Sequence, residues 1–195
     1  MARHRKSTDA STLSPEDERT RRIEAAINET YPGLQMIVRD MNLKPEIAAK
    51  YVKGSIVREL AYVEGTSRVA GMVTTHRIAI LSNHMLDVND VLGEEKKDTR
   101  GLCVAKRGSH FKVLGTHEHK GKTMIVLLHL PNDETWKLFD DMAVNIDEDV
   151  FASCVERFEA KCDMPPIPEL ATQDWLARCA FPIGMDDLGN LYALD

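Results

Sequence analysis

The hydrophobic spacing of this chain changes period twice, and that change limits the fold more than any single motif does. Up to residue 63 the apolar side chains recur every three or four positions. From 67 to 130 they come in short β-prone runs, and beyond Pro131 the helical spacing returns. Helices, then a sheet, then helices describe an α+β chain rather than an alternating parallel fold. Ser14-Pro15-Glu16-Asp17 offers an N-cap followed by proline at the first helical position, which predicts a helix over 15–30. A second helix is expected over 44–63, carried by Ile47, Tyr51, Ile56, Val57 and Leu60 and weakened by Gly54. The runs at 69–74, 78–81, 102–105, 111–114 and 123–130 predict strands, with turn signals at Arg107-Gly108-Ser109 and Lys120-Gly121. Links this short favour an antiparallel β-meander of five or more strands, flanked by N-terminal and C-terminal helices. The expected organisation is a flexible tail over 1–13 and one α+β domain over 14–195, with its sheet over 67–130 and helices over 133–180.

Composition narrows the setting. The longest apolar run, 124–130, is far shorter than the roughly 20 residues that span a bilayer, so no membrane span is expected. Arg3, His4, Arg5 and Lys6 precede no apolar stretch, and Cys103, Cys154, Cys162 and Cys179 are scattered. Both features suit a cytoplasmic, reducing compartment. The net charge of −6 disfavours a nucleic-acid partner, but it hides an asymmetry. Residues 96–122 hold eight bases against two acids, a local net of +6, and residues 133–163 hold ten acids against three bases, a local net of −7. Two oppositely charged segments either neutralise each other or steer a partner.

Familiar catalytic signatures do not fit. Residues 115–123 hold a Gly-x5-Gly-Lys-Thr stretch, one residue too long for a phosphate loop and leading into a strand instead of a helix. The histidines are more suggestive, because imidazole titrates near neutral pH. His84, His110 and His129 are the candidate catalytic residues if the chain is an enzyme. Folding residues 110–130 as a hairpin about Lys120-Gly121 pairs His119 with Lys122, His117 with Met124 and Lys112 with His129. His110 and His129 then share one face as a diagonal pair. His117 and His119 point the same way from their strand, as metal ligands do, yet no third ligand is specified, so no metal and no cofactor is assigned. Arg77, Lys106, Arg107 and Lys112 are the candidate ligand-binding cations.

Residues 71–80, Gly-Met-Val-Thr-Thr-His-Arg-Ile-Ala-Ile, resemble a strand-turn-strand segment of bacterial pleckstrin-homology-like and GRAM-type domains. That resemblance implies a β-sandwich closed by one C-terminal helix, here near 132–139, and an interaction module. The expectation is therefore a cytosolic accessory protein that binds a protein or other anionic partner through a basic sheet surface. Catalysis is not assigned and the oligomeric state is left open. The alternative is a histidine-dependent hydrolase or phosphoesterase acting on an anionic substrate.

Overall fold

The computed structural model of the chain describes residues 14–92, 97–140, 142 and 145–194. The tail expected over 1–13 lies outside them. Helix α1, Pro15–Thr30, begins where the sequence places it: the Ser14 hydroxyl accepts from the Asp17 N–H, and the Asp17 carboxylate accepts from the Ser14 N–H, a reciprocal cap. Strand β1 is Gln35–Met41, followed by the single helical turn α2, Pro45–Ala48. Strands β2 (Ile56–Arg58), β3 (Val63–Thr66), β4 (His76–Ser82), β5 (Leu86–Asp87), β6 (Leu102–Ala105), β7 (His110–His119) and β8 (Lys122–His129) complete the sheet. A 3-10 turn at Glu134–Phe139 then leads to helices α3, Asn145–Lys161, and α4, Gln173–Arg178. Among the described residues no helix is long and apolar enough to cross a membrane.

The α+β class holds, but the meander does not. The eight strands lie in the order β2-β7-β8-β4-β1-β3-β6-β5, and β4 pairs with β8 in parallel, Ile78 opposite Ile125. Short links make successive strands antiparallel only if successive strands are neighbours. Here the chain leaves β4, builds β5, β6 and β7, and returns to lay β8 beside β4. A crossover that long carries a parallel pair without an intervening helix. Strand β8 is consequently buried on both faces, with Met124, Val126 and Leu128 in one core and Ile125 and Leu127 in the other. That burial explains its unbroken apolar run.

One face of the sheet packs beneath α1, α3 and the Glu134–Phe139 turn, burying Leu114, Trp136, Phe139, Cys154 and Phe158. The other buries Ile37, Tyr51, Val57, Phe111 and Val113 against the C-terminal Ile183 and Met185. This single mixed sheet is not the sandwich implied by the resemblance at 71–80, where only residues from His76 onward are strand.

The helix expected over 44–63 is also replaced. After one turn the chain reaches Gly54 at φ +88, where its N–H donates to the Val113 carbonyl at 2.8 Å, and Val113 N–H donates to Ser55 at 2.8 Å. The left-handed glycine turns the segment onto β7, so β2 and β3 form where helical spacing suggested a continuous helix. The sheet thus runs from 35 to 129 rather than from 67 to 130, and the helices expected across 133–180 are four separate short elements.

Candidate ligand-binding site

The β7–β8 register changes the expected arrangement of histidines. Near the turn the pairing is as anticipated, His119 with Lys122 and His117 with Met124. A bulge between Val113 and Gly115 then shifts it by one, so Phe111 and not Lys112 stands opposite His129. A one-residue shift reverses every side chain beyond it. His129 therefore lies on the Phe111 face, with its ring 4.8 Å from Phe111 and 4.0 Å from His84. His110 lies on the opposite face, stacked 4.1 Å from Trp136.

The two are not a diagonal pair. His129 is 1% exposed with Nδ1 2.9 Å from the Ser82 hydroxyl, and its Nε2 has no partner. Neither ring nitrogen of His110 has one. Burial, and next the repulsion from His84 and His110, pushes His129 down to about 3. Burial, and next the nearby Arg58, pushes His110 down to about 4. Both are neutral packing groups. His84 lines a cleft of ≈ 570 Å³ bordered by Glu29, Thr30, Asn83 and Asp133, which neither His110 nor His129 lines. The hydrolase reading needs the three imidazoles to meet at one cavity, and they do not.

The expected basic surface is not there either. Arg77 is 2% exposed and makes two 2.7 Å bonds to the Asp40 carboxylate. Lys112 is buried and paired with Asp147 at 2.9 Å, so neither residue is available to a partner. Lys106 and Arg107 are exposed on the β6–β7 turn, where Arg107 Nε donates to the Leu60 carbonyl at 3.3 Å.

His117 and His119 do face one another's partner: Glu159 of α3 lies 2.8 Å from His117 Nε2 and 3.5 Å from His119 Nδ1.

A second cleft, of ≈ 460 Å³, opens where β1 and β3 meet the C-terminal segment. Its C-terminal wall is held in place at two points. The Tyr51 hydroxyl donates to the Ile183 carbonyl at 2.9 Å and accepts from the Ile183 N–H at 2.8 Å. Glu59 accepts from the Gly184 N–H at 2.8 Å and from the Ala61 N–H at 2.9 Å. Gly184, at φ +83, lies so near β2 that a Cβ would stand 2.6 Å from Val57.

At the floor of the cleft is Arg39, from the middle of β1 and 5% exposed. One of its terminal nitrogens donates to the Phe181 carbonyl at 3.1 Å, and its Nε has no partner. Two of the three carboxylates that line the cleft are engaged elsewhere: Glu64 takes two bonds from Arg178, at 2.8 and 2.7 Å, and Glu59 takes the backbone bonds above, while Asp187 is the third. Phe181 and Tyr62, 59% and 64% exposed, border the opening together with Tyr192. Sequence reasoning passed over this site. Its one local signal is a cation inside the β-prone run Met36-Ile37-Val38-Arg39-Asp40-Met41, and the rest comes from segments 20 to 150 residues away.

No known family profile matches the chain, and no curated protein matches it. Solved structures with partial likeness include the type III effector XopAI of Xanthomonas axonopodis pv. citri, at 10% identity over 53% of this chain and 44% of that one, with TM-score 0.42. The ADP-ribosyltransferase HopU1 of Pseudomonas syringae pv. Tomato DC3000 aligns at 15% identity over 50% and 46%, with TM-score 0.42. C3stau2 from S. aureus, solved with NAD, aligns at 11% identity over 63% and 74%, with TM-score 0.40. The chain spans less than half the length of the first two. Likeness at this level does not carry an activity across. The expectation of an accessory module that binds partners through basic strands is not met by the sheet itself, where Arg77 and Lys112 are buried against Asp40 and Asp147.

Proposed function

We propose that the chain binds a small ligand of the nucleotide type, combining an anionic group with an aromatic ring, in the cleft around Arg39. The observation that supports this reading is Arg39 itself. A guanidinium withdrawn from water needs acceptors for its five N–H groups, and this one has a carbonyl, an unpartnered Nε and an open cleft beside it. Its planar fork suits a phosphate or carboxylate, which would make charge-assisted bonds there. Tyr62, Phe181 and Tyr192 offer ring surface for a base at the rim. A volume of ≈ 460 Å³ falls within the range of about 300–1,000 Å³ that holds small ligands.

The test is calorimetric titration of NAD and of ADP into the full chain and into Arg39→Lys and Arg39→Met. The expected result is saturable binding of one equivalent, weakened about tenfold or more in Arg39→Met and less in Arg39→Lys, with unchanged circular dichroism. A wild-type chain that binds neither nucleotide, or an Arg39→Met chain that binds as well as wild type, overturns the reading. Release of nicotinamide from NAD in the same mixtures tests separately for the activity named in the transferase structures.

A further inference from the structure

We infer that the β7–α3 junction is a zinc site, with His117, His119 and Glu159 as its protein ligands. The three come from two elements. On β7 the alternate residues 117 and 119 project from the same face, and α3 lies across that face with Glu159 in its last turn. Their ligand atoms all lie within 4.8 Å of one another. One oxygen, Glu159 Oε1, stands 2.8 Å from His117 Nε2 and 3.5 Å from His119 Nδ1.

Tetrahedral zinc, with bonds of about 2.0–2.2 Å to nitrogen and oxygen, sets neighbouring ligand atoms about 3.3–3.6 Å apart. The His119–Glu159 separation already has that value. The His117–Glu159 hydrogen bond has to open by about half an ångström, a small adjustment for side chains that are 27% and 44% exposed. Two imidazoles and one carboxylate favour zinc over calcium or magnesium, which prefer all-oxygen shells.

A second trio, His119, Cys162 and Asp163, adjoins the first and shares His119. It is not the site proposed here, because Asp163 is held by Lys120 at 2.7 Å and by Lys122 at 3.3 Å, and Cys162 is fully buried. His119 is common to both, so His117, which belongs to the first trio alone, is the decisive variant. A bound ion would clamp the end of the β7–β8 hairpin to the end of α3.

The experiment is calorimetric titration of zinc chloride into the chelator-treated full chain, with thermal melts run alongside. The expected result is one equivalent bound per chain and a rise in Tm on loading. Loss of an outer-sphere partner commonly weakens metal binding by about 10–100-fold, so removing a ligand in His119→Ala should weaken it by about 100-fold or more. His117→Gln should weaken it as well. Glu118→Ala, on the exposed opposite face of the same strand, should bind as wild type does. Circular dichroism of the metal-free variants separates a lost ligand from a lost fold. Wild-type protein that takes up no stoichiometric zinc overturns the inference, as does zinc binding that survives His117→Gln or His119→Ala.

Discussion

Two buried neutral histidines make the stability of this fold fall as pH drops below neutrality, well before its carboxylates titrate. His129 is enclosed between the His84 and Phe111 rings, and His110 lies against Trp136; they are 1% and 6% exposed. Burial holds them down to about 3 and about 4, against the ordinary 6.5 that they regain on unfolding. A depressed folded value means that the native state resists protonation while the unfolded chain accepts it. Their contribution is therefore fully present above 6.5 and is lost as pH falls from there toward 4 and 3.

Where the unfolded chain binds two more protons than the native one, the slope approaches about 2.7 kcal/mol per pH unit, and because the unfolded imidazoles are already half protonated at 6.5, the loss between about pH 6.5 and about pH 5 is about 3 kcal/mol. That is a large share of the about 5–15 kcal/mol typical of a domain. Asp98, Asp133 and Asp186, held below the ordinary 3.8 chiefly by hydrogen bonds to their side chains, release their contribution only below that value, outside the window. The assay is urea denaturation at half-unit steps across the window, on wild type and on His129→Asn. The asparagine places a polar atom near the position of Nδ1, within reach of Ser82, and carries no titrating group. The variant slope should fall by about 1.4 kcal/mol per pH unit, while His84 and His76, also pushed below the ordinary 6.5 by burial, add their share to the slope of both proteins. Equal slopes for the two proteins, or a wild-type stability that is flat across the window, would refute the reasoning.

Two further perturbations probe the packing. Asp147 is the counter-charge of buried Lys112 and also accepts from the Tyr31 hydroxyl, so Asp147→Ala strands an ammonium in the core and should cost about 3–5 kcal/mol in urea denaturation. Lys112→Met in the same chain should recover much of that loss, because two apolar groups replace the stranded charge. A Cβ on Gly71 would stand 1.6 Å from the Met164 carbonyl oxygen, whereas one on Gly108, at φ +77, meets nothing within 4 Å. Gly71→Ala should therefore lower stability by about 3 kcal/mol or more through a forced backbone shift, and Gly108→Ala by only about 1–2 kcal/mol of conformational strain; the reverse order in melts would contradict the contact.

The parts of the fold legible in the sequence are those set by local chemistry. The Ser14 and Asp17 cap fixes the start of α1, and Lys120-Gly121, both at positive φ, fix the β7–β8 turn and the pairing beside it. What escaped was decided at a distance. Tyr51 and Val57 have the spacing of a helix because both point into the core beneath the sheet, a burial that a strand pair satisfies as well as a helix does. The parallel contact of β4 with β8 joins segments more than 40 residues apart, and nothing local encodes it. Gly115 was the available sign of the bulge, since a Cβ there would stand 2.9 Å from the Phe151 ring. A regular hairpin about Lys120-Gly121, with no bulge at Gly115, puts His110 and His129 on one face. His117 and His119 share a strand face, which alternation along a strand makes legible, but Glu159, which meets both, lies 40 residues on, in another element.

The opposed charges of the two segments resolve in the same way, through contacts that the linear sequence does not order. Lys112 meets Asp147, Lys120 and Lys122 meet Asp163, and His117 meets Glu159, so much of the basic strand segment is neutralised by the acidic helical one. The exposed pairs contribute little to stability, because water already solvates each partner, and their effect is to cancel the field that a steering surface would need. Lys112 differs in being buried: its pairing fixes where α3 begins relative to β7, a matter of geometry more than of energy. Among the described residues, withdrawn cations that keep an unpartnered nitrogen lie on neither segment: Arg77, which Asp40 holds in two bonds, and Arg39, in a strand whose sequence is otherwise mostly apolar and beside Glu59 and Glu64, which have other partners. The anion recognition proposed for this chain therefore rests on one withdrawn guanidinium in a cleft, not on the excess of lysines and arginines that the sequence displays.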